Sequence, residues 1–102
     1  MTIVQTAVFT VDKDYQEAFL EKIKRDVASL KAWPGNLAAE GWQGDDKGDN
    51  IEFILLSKWN YKTDFEAWLN RPGHKEGHAD PKTQEIRKHV SRKVNTYKIL
   101  AD

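Results

Sequence analysis

The residues best suited to carry chemistry lie in the segment 65–78, FEAWLNRPGHKEGH. Its first half has the spacing of an amphipathic helix, the Pro-Gly pair at 72–73 interrupts that helix, and two histidines four residues apart follow. On a helix, His74 and His78 would project to one side and could share a metal ion. Structural zinc takes four ligands and catalytic zinc takes three, so the pair is an incomplete site, and an exposed polar turn is the alternative.

His78 differs from His74 because Trp68 lies one segment before it. A neutral histidine that faces a pocket walled by tryptophan could bind haem iron as an axial ligand. The alternative is that His78 caps the last turn of a short helix while Trp68 lies in the core. The spacing leaves both interpretations open. The sequence contains no phosphate loop, nucleotide fingerprint or nucleophile elbow that would suggest another chemistry.

The composition sets limits on the class of protein. A chain of 102 residues predicts one domain, spanning residues 1–102. Lys+Arg and Asp+Glu are both 16, so there is no electrostatic reason to expect nucleic acid or an acidic membrane as a partner. The absence of cysteine excludes disulfides and thiolate metal ligands. Because the start lacks the features of a signal peptide and no apolar run suits a membrane helix, we expect a cytoplasmic protein.

The elements that must position these residues can be predicted from hydrophobic periodicity. Strands are predicted at residues 3–11, 37–43, 51–59 and 91–100. One helix is predicted from Asp14, in a capping box with Glu17, to near Ala32, and another from Asn60 or Thr63 through Leu69. A short helix would begin at Pro72, and residues 82–90 are helical or irregular.

Two details of the predicted hairpin concern its geometry. The sequence DDKGDN at 45–50 consists of turn residues and predicts a turn. Gly41, inside the preceding strand, suggests either a bulge or a close backbone contact. The resulting order, β-α-β-β-α-(α)-β, is typical of a ferredoxin-like α+β fold with helices on one face of an antiparallel sheet.

The strand at 51–59 is apolar on both sides. Ile51, Phe53, Leu55 and Trp59 would lie on one face, and Ile54 and Leu56 on the other. An antiparallel sheet with one wet face should alternate between apolar and polar residues, so both faces are expected to be covered. Helices can cover one face, and a second copy of the chain is the expected cover for the other.

With these elements in place, the chain resembles the antibiotic biosynthesis monooxygenase superfamily, and within it the bacterial haem-degrading monooxygenases. The resemblance rests on WPGNLAAEGWQ, ILLSKWNYKTDFEAWLNRPGHKEGH and VNTYKIL, and its most specific part is the spacing of Trp68 and His78. It implies a homodimer of ferredoxin-like subunits whose sheets form a shared barrel. It also implies a haem in a cleft between helices and sheet, with His78 as proximal iron ligand and Trp68 packed on the porphyrin. Phe65, on the same helix as Trp68, would contact the haem as well. O2 and an external electron donor, supplied by a reductase, would then degrade the haem.

One position departs from that pattern. Haem-degrading members carry an asparagine on the first strand that hydrogen-bonds the distal ligand, and Ala7 occupies this position here. Alanine cannot donate a hydrogen bond, which weakens the expectation of haem breakdown. Gln5 on the same strand face and Thr6 on the opposite face are polar neighbours, but neither is an obvious replacement. The phenylalanine that is common four residues before the histidine is His74 here.

Three functional hypotheses follow. The first is a haem-binding and haem-degrading monooxygenase. The second is a cofactor-free monooxygenase acting on a quinol or polyketide-like aromatic, with a pocket lined by Trp42, Trp59, Trp68 and Tyr97 and with His78 or His74 as candidate base. The third is a non-enzymatic dimer of the same fold that binds a small ligand.

Overall fold

A computed structural model describes residues 2–71, 84 and 86–101. His74 and His78 lie outside the described residues. The described elements, in chain order, are β1 (Ile3–Asp12), α1 (Gln16–Lys31), β2 (Asn36–Lys47), β3 (Asn50–Trp59), α2 (Lys62–Leu69) and β4 (Val90–Lys98). Residues 84, 86 and 87 are helical and precede β4, in agreement with the prediction for 82–90 as far as that stretch is described.

The four strands form one antiparallel sheet in the order β2-β3-β1-β4. The first strand therefore lies inside the sheet, between β3 and β4, and α1 connects β1 to the far edge. This is the ferredoxin-like α+β arrangement that the sequence predicts. Odd-numbered residues of β1 and β3 share one face of the sheet, because these strands pair in register from Ile3 and Trp59 to Asp12 and Asn50. This face carries the helices, since its aromatic residues contact Phe19 of α1 and Phe65 of α2.

The start of α1 differs from the predicted capping box at Asp14. The side chain of Asp12 accepts a hydrogen bond from the backbone N–H of Asp14 at 3.0 Å and caps a single 3-10 turn at Lys13–Tyr15. Only after this turn does α1 begin, at Gln16. The predicted end near Ala32 is confirmed, because Ala32 is the C-cap residue.

The hairpin between β2 and β3 is tighter than predicted. Lys47 pairs with Asn50, so the loop has two residues, and its first residue, Gly48, has φ +73°. A positive φ at this position is typical of a tight hairpin turn and favours glycine. The segment predicted as a turn, 45–50, is thus mostly strand. The pairing register of β2 and β3 shifts between Gln43 and Asp46, which is typical of a β-bulge.

The core lies between the two helices and the sheet. Its buried residues are mainly aromatic and aliphatic: Phe9, Val11, Phe19, Ile23, Leu30, Ala39, Ile51, Phe53, Leu55, Trp59 and Trp68. Here α1 approaches β2 very closely, because a Cβ at Gly41 would lie 2.5 Å from Cγ2 of Ile23. The close contact predicted at Gly41 is therefore confirmed, and glycine is required by space rather than by backbone conformation.

The opposite face of the sheet is also apolar. Trp42 lies beside Ile54, which in turn lies beside Val8, so three strands contribute one continuous apolar row. Trp42 is 46% exposed, and Tyr97, on the same face, is 53% exposed. The prediction that β3 is apolar on both sides is confirmed.

Candidate functional site

A cleft of about 630 Å³ lies on the helix-facing side of the sheet, over β1 and β4. Side chains of α1 and α2 form two of its walls, and residues 86 and 87 form a third. Its lining is apolar apart from a few polar and several basic side chains. The lining residues are Gln5, Thr6, Ala7, Phe9, Ala18, Phe19, Lys22, Arg25, Asp26, Leu30, Leu55, Ser57, Phe65, Trp68, Leu69, Arg71, Ile86, Arg87, Val90, Arg92 and Val94. A largely apolar cleft with a few polar groups is the usual form of a small-molecule site.

A polar row crosses the floor of this cleft. Gln5 on β1 pairs with Ser57 on β3 and with Thr96 on β4, so the three side chains lie side by side across three strands. Oγ1 of Thr96 donates a hydrogen bond to Oε1 of Gln5 at 2.8 Å, and Nε1 of Trp59 donates to Oγ of Ser57 at 2.8 Å. Gln5 and Ser57 are each only 3% exposed, so these polar groups are held inside the protein.

The amide nitrogen of Gln5 has no hydrogen-bond partner among the described residues. It is a buried atom with two N–H donors, and its own oxygen is already engaged by Thr96. An unpaired buried donor costs about 1–3 kcal/mol of folding free energy. Such a cost is typical of a functional site, where the missing partner is supplied by a ligand.

Trp68 is fixed from three sides. Its indole Nε1 donates to Oγ of Ser29 on α1 at 3.0 Å, and the ring of Phe65 stacks beside it at 6.3 Å between centroids. The guanidinium of Arg71 lies 4.0 Å from the centroid of the indole, and its Nη1 donates to the carbonyl oxygen of Trp68 at 2.8 Å. Since its N–H is bound to Ser29, Trp68 offers the cleft an aromatic surface and not a proton donor.

Burial shifts the pKa of Arg71. Desolvation lowers the pKa of Arg71 from its ordinary value, and the nearby carboxylate of Asp26 acts in the opposite direction. Asp26 itself forms an ion pair with Lys22, with Nζ and Oδ2 2.6 Å apart. The carboxylate of Asp26 therefore interacts with two cations, Lys22 and Arg71, where α1 lies near the C-terminal end of α2.

The described lining was compared with what haem requires. Haem iron is held by histidine, cysteine, methionine or tyrosine, and none of these types occurs among the described residues that line the cleft. In the described part of the chain, no three histidine, cysteine, aspartate or glutamate residues form a group that could hold a metal ion. The predicted ligand His78 lies outside this part, so the described lining does not by itself fit haem.

The structure brings together three of the residues predicted for the site: Ala7, Phe65 and Trp68 all line the cleft. Two of the four aromatics proposed for a cofactor-free pocket lie elsewhere, since Trp42 and Tyr97 are on the opposite face of the sheet. Trp59 is fully buried in the core and does not line the cleft.

The sequence reasoning named Gln5 as a polar neighbour of Ala7 but missed its importance. The available signal was a long polar side chain on the face of β1 that also carries Phe9 and Val11. On a face that is otherwise apolar, such a residue must be either paired or reserved for a ligand.

The fold is that of a ferredoxin-like α+β protein, and the cleft lies on the helix side of its sheet. The sequence model of the antibiotic biosynthesis monooxygenase family matches residues 2–80. The chain therefore belongs to this family of monooxygenases. A search of curated proteins finds no match to the chain.

Solved structures share the fold at low sequence identity. Rv0793 from Mycobacterium tuberculosis is 13% identical, with a TM-score of 0.79, over 100% of this chain and 98% of that one. SnoaB, a cofactor-independent oxygenase from Streptomyces nogalater, is 18% identical, with a TM-score of 0.70, over 99% and 95%. A dimeric ferredoxin-like protein from an uncultured marine organism is 12% identical, with a TM-score of 0.76, over 99% and 97%. Likenesses at this identity show the fold alone.

The helices in the described part of the chain were also compared with a membrane span. None of them combines the length and the apolar character that crossing a bilayer requires.

The unpaired amide of Gln5 leads to a prediction about stability. Gln5→Met keeps the length of the side chain and removes the unpaired donor, so the free energy of unfolding should rise by about 1 kcal/mol. Thr96 loses its acceptor but is exposed and can bond to water. Chemical denaturation of both proteins measures the difference. A loss of stability in the variant would show that the Gln5 amide is satisfied in the folded protein.

Proposed function

We propose that this protein is a cofactor-independent monooxygenase that places one oxygen atom of O2 on an electron-rich hydroxyaromatic. The observation that carries this proposal is the unpartnered Nε2 of Gln5, buried at the floor of an apolar cleft. Membership of a monooxygenase family supports it, and so does the shared fold with SnoaB, which is described as a cofactor-independent oxygenase. The proposal differs from the first sequence hypothesis, which placed haem in the same cleft.

The reaction needs no external reductant. A phenol with a hydrogen-bearing ring carbon para to its hydroxyl reacts with O2 to give a quinone and water. The ionised substrate transfers one electron to O2, and the substrate radical then combines with superoxide to form a C–O bond. The resulting peroxide takes up the proton that was released on ionisation. Cleavage of its O–O bond, with loss of the ring C–H proton, gives the carbonyl and one molecule of water.

Each described group has a role in this scheme. Nε2 of Gln5 donates a hydrogen bond to the substrate oxygen and stabilises its phenolate form, which is the form that gives up an electron. Phe65 and Trp68 contact the flat body of the substrate, and their rigidity fixes its orientation. The apolar remainder of the cleft excludes water from the radical pair.

Oxygen uptake tests the proposed activity. Metal-free protein, treated with a chelator and dialysed, should consume O2 when mixed with members of a panel of naphthols and anthrones that carry hydrogen on the para carbon, with one O2 consumed and one water formed per quinone product. Gln5→Met should lower kcat by about 10- to 100-fold, because a donor to the developing charge is lost. A Clark electrode measures the rate of oxygen uptake by wild type and variant, and chromatography identifies the product.

The matched control is Gln43→Met. Gln43 also lies on the helix-facing side of the sheet, but on β2 and outside the cleft, so its substitution should leave kcat unchanged. Equal losses in the two variants would contradict a role for the Gln5 amide. No oxygen uptake with any member of the panel would count against the activity itself and would favour the non-enzymatic ligand-binding dimer.

Haem degradation is the second candidate, and the retained spacing of Trp68 and His78 favours it. In this alternative Trp68 and Phe65 would pack on the porphyrin and His78 would hold its iron. Haem would supply the iron centre at which O2 is activated, with electrons from a donor such as a reductase. Ala7 would provide no distal hydrogen bond.

A haem titration separates the two candidates. If the second one is correct, haem should give a saturable Soret shift near one haem per chain, and His78→Ala should abolish it. Ala7→Asn should then speed haem turnover with ascorbate, because it supplies the donor that is missing at this position. Binding that is the same in wild type and His78→Ala would exclude His78 as the iron ligand.

We further propose that the protein is a homodimer in which the apolar outer face of the sheet is the interface. That face carries Trp42, Ile54, Leu56, Val8 and Tyr97, and an exposed apolar patch of this kind marks an interaction surface. A similar solved structure is described as a dimeric ferredoxin-like protein. Its subunits, however, share only the fold with this chain.

Light scattering coupled to size-exclusion chromatography tests the dimer. The wild type should have twice the 11.8 kDa mass of one chain. The double variant Trp42→Ser, Tyr97→Ser should shift toward the monomer, because it removes two large apolar contacts. Tyr61→Ser is the control, since Tyr61 is a still more exposed aromatic residue that precedes α2 and lies away from the sheet face. A wild-type monomer would disprove the proposal.

A further inference from the structure

The charge of the cleft differs from that of the whole chain. The chain as a whole is formally neutral. The described lining of the cleft, in contrast, contains five basic side chains and one acidic side chain, Asp26. The basic residues are Lys22, Arg25, Arg71, Arg87 and Arg92. Clefts with low-dielectric walls and one sign of charge concentrate ligands of the opposite charge.

Asp26 does not neutralise this excess. Its carboxylate is already paired with Lys22 and also interacts with Arg71. In the part of the chain that the structure describes, Arg25, Arg87 and Arg92 take part in no ion pair. Three cations at the cleft thus remain available to an anionic ligand.

Arg92 and the Gln5 amide lie at different ends of the cleft floor. Arg92 on β4 pairs with Phe9 on β1, and Gln5 lies four residues before Phe9 on the same strand face. Four residues of a strand span about 13 Å. Nζ of Lys22 lies 5.5 Å from the ring centroid of Phe9, so Lys22 belongs to the same end as Arg92. Between the two ends the floor is formed by the small apolar side chain of Ala7.

We propose that the ligand of this cleft is a planar aromatic acid, oriented with its acidic group at Arg92 and its hydroxyl or carbonyl oxygen at Gln5. This inference builds on the proposed function and names its substrate class. The substrate would be a hydroxyaromatic whose carboxylate lies about 13 Å from the oxygen bound by Gln5, which is the distance between the two ends of the cleft floor. The carboxylate gains charge-assisted hydrogen bonds from the guanidinium, and the aromatic body lies along Ala7 and Phe65. Two fixed ends select one orientation, and so determine which ring carbon meets O2.

Binding of two fluorescent probes tests the inference without turnover. 9-Anthracenecarboxylate and 9-anthracenemethanol have the same ring system and differ in charge, and neither is a phenol that the proposed reaction would oxidise. Wild-type protein should bind the carboxylate about tenfold more tightly than the alcohol, and rising salt should reduce that preference. Arg92→Gln should lower the preference to about threefold or less, with little change in affinity for the alcohol.

Lys24→Gln is the matched control, because Lys24 lies on α1 beside Lys22 but outside the cleft. It should retain the full preference for the carboxylate. Equal binding of the two probes by wild type, or a full preference that survives in Arg92→Gln, would overturn the inference. Circular dichroism spectra of the variants verify that each is folded.

The probe-binding experiment tests the acid-binding site independently of the proposed oxygenase activity. Probe selectivity without oxygen uptake would retain the acid-binding site and reject the reaction, whereas oxygen uptake without selectivity would reject only the acid-binding site. Haem is itself a planar aromatic with two carboxylates, so haemin competition distinguishes the two sources. Displacement of the carboxylate probe together with a His78-dependent Soret band would assign the acid site to haem. Failure of haemin to displace the probe would assign the site to a free aromatic acid.

Discussion

The seating of α1 on β2 is the contact on which the cleft depends. Gly41 lets the helix approach until Cγ2 of Ile23 occupies the space of a missing Cβ, so α1 is held over the β2–β3 half of the sheet. The helix α2 packs on β3, where the ring of Phe65 lies 5.8 Å from that of Trp59. The space over β1 and β4, between α1, α2 and the residues before β4, is the cleft. The hydrogen bond from Trp68 to Ser29 then links the two helices across that space. One close packing contact therefore determines both the core on one side and the site on the other.

Much of this architecture could be predicted from the sequence, because it depends on short-range patterns. Apolar residues at both odd and even positions of β3 predicted that the strand is apolar on both sides, and turn residues located the hairpin to within three residues at each end. The predicted cap at Asp14 was wrong, because Asp12 caps a separate 3-10 turn and α1 begins only after that turn, at Gln16. Phe65, Trp68 and Ala7, which the family resemblance assigns to one site, all line the cleft. That assignment came from the resemblance and not from local pattern.

The charge of the cleft could not be predicted in this way. Its cations come from α1, from the end of α2, from the residues before β4 and from β4 itself, and in the sequence each is interspersed with acids. Only the antiparallel order β3-β1-β4 brings them to one opening. The same holds for the polar row, in which Gln5, Ser57 and Thr96 are far apart in sequence but adjacent in register. Local propensity carries no information about contacts between segments that are distant in sequence, because those contacts depend on tertiary structure.

The polar row also has a consequence for how chemistry could diverge on this fold. Positions 5 and 7 of β1 lie on the same face, one pleat period or about 6.6 Å apart. In the haem-degrading monooxygenases that the sequence resembles, the hydrogen-bond donor is at the position of Ala7, whereas in this chain the unpaired buried amide is at Gln5. A hydrogen-bond donor at position 5 instead of position 7 would hold the ligand's oxygen about 6.6 Å further along β1, roughly the width of one aromatic ring. Two substitutions on a single strand could therefore change the regiochemistry of oxygenation and leave register, core and helix packing intact.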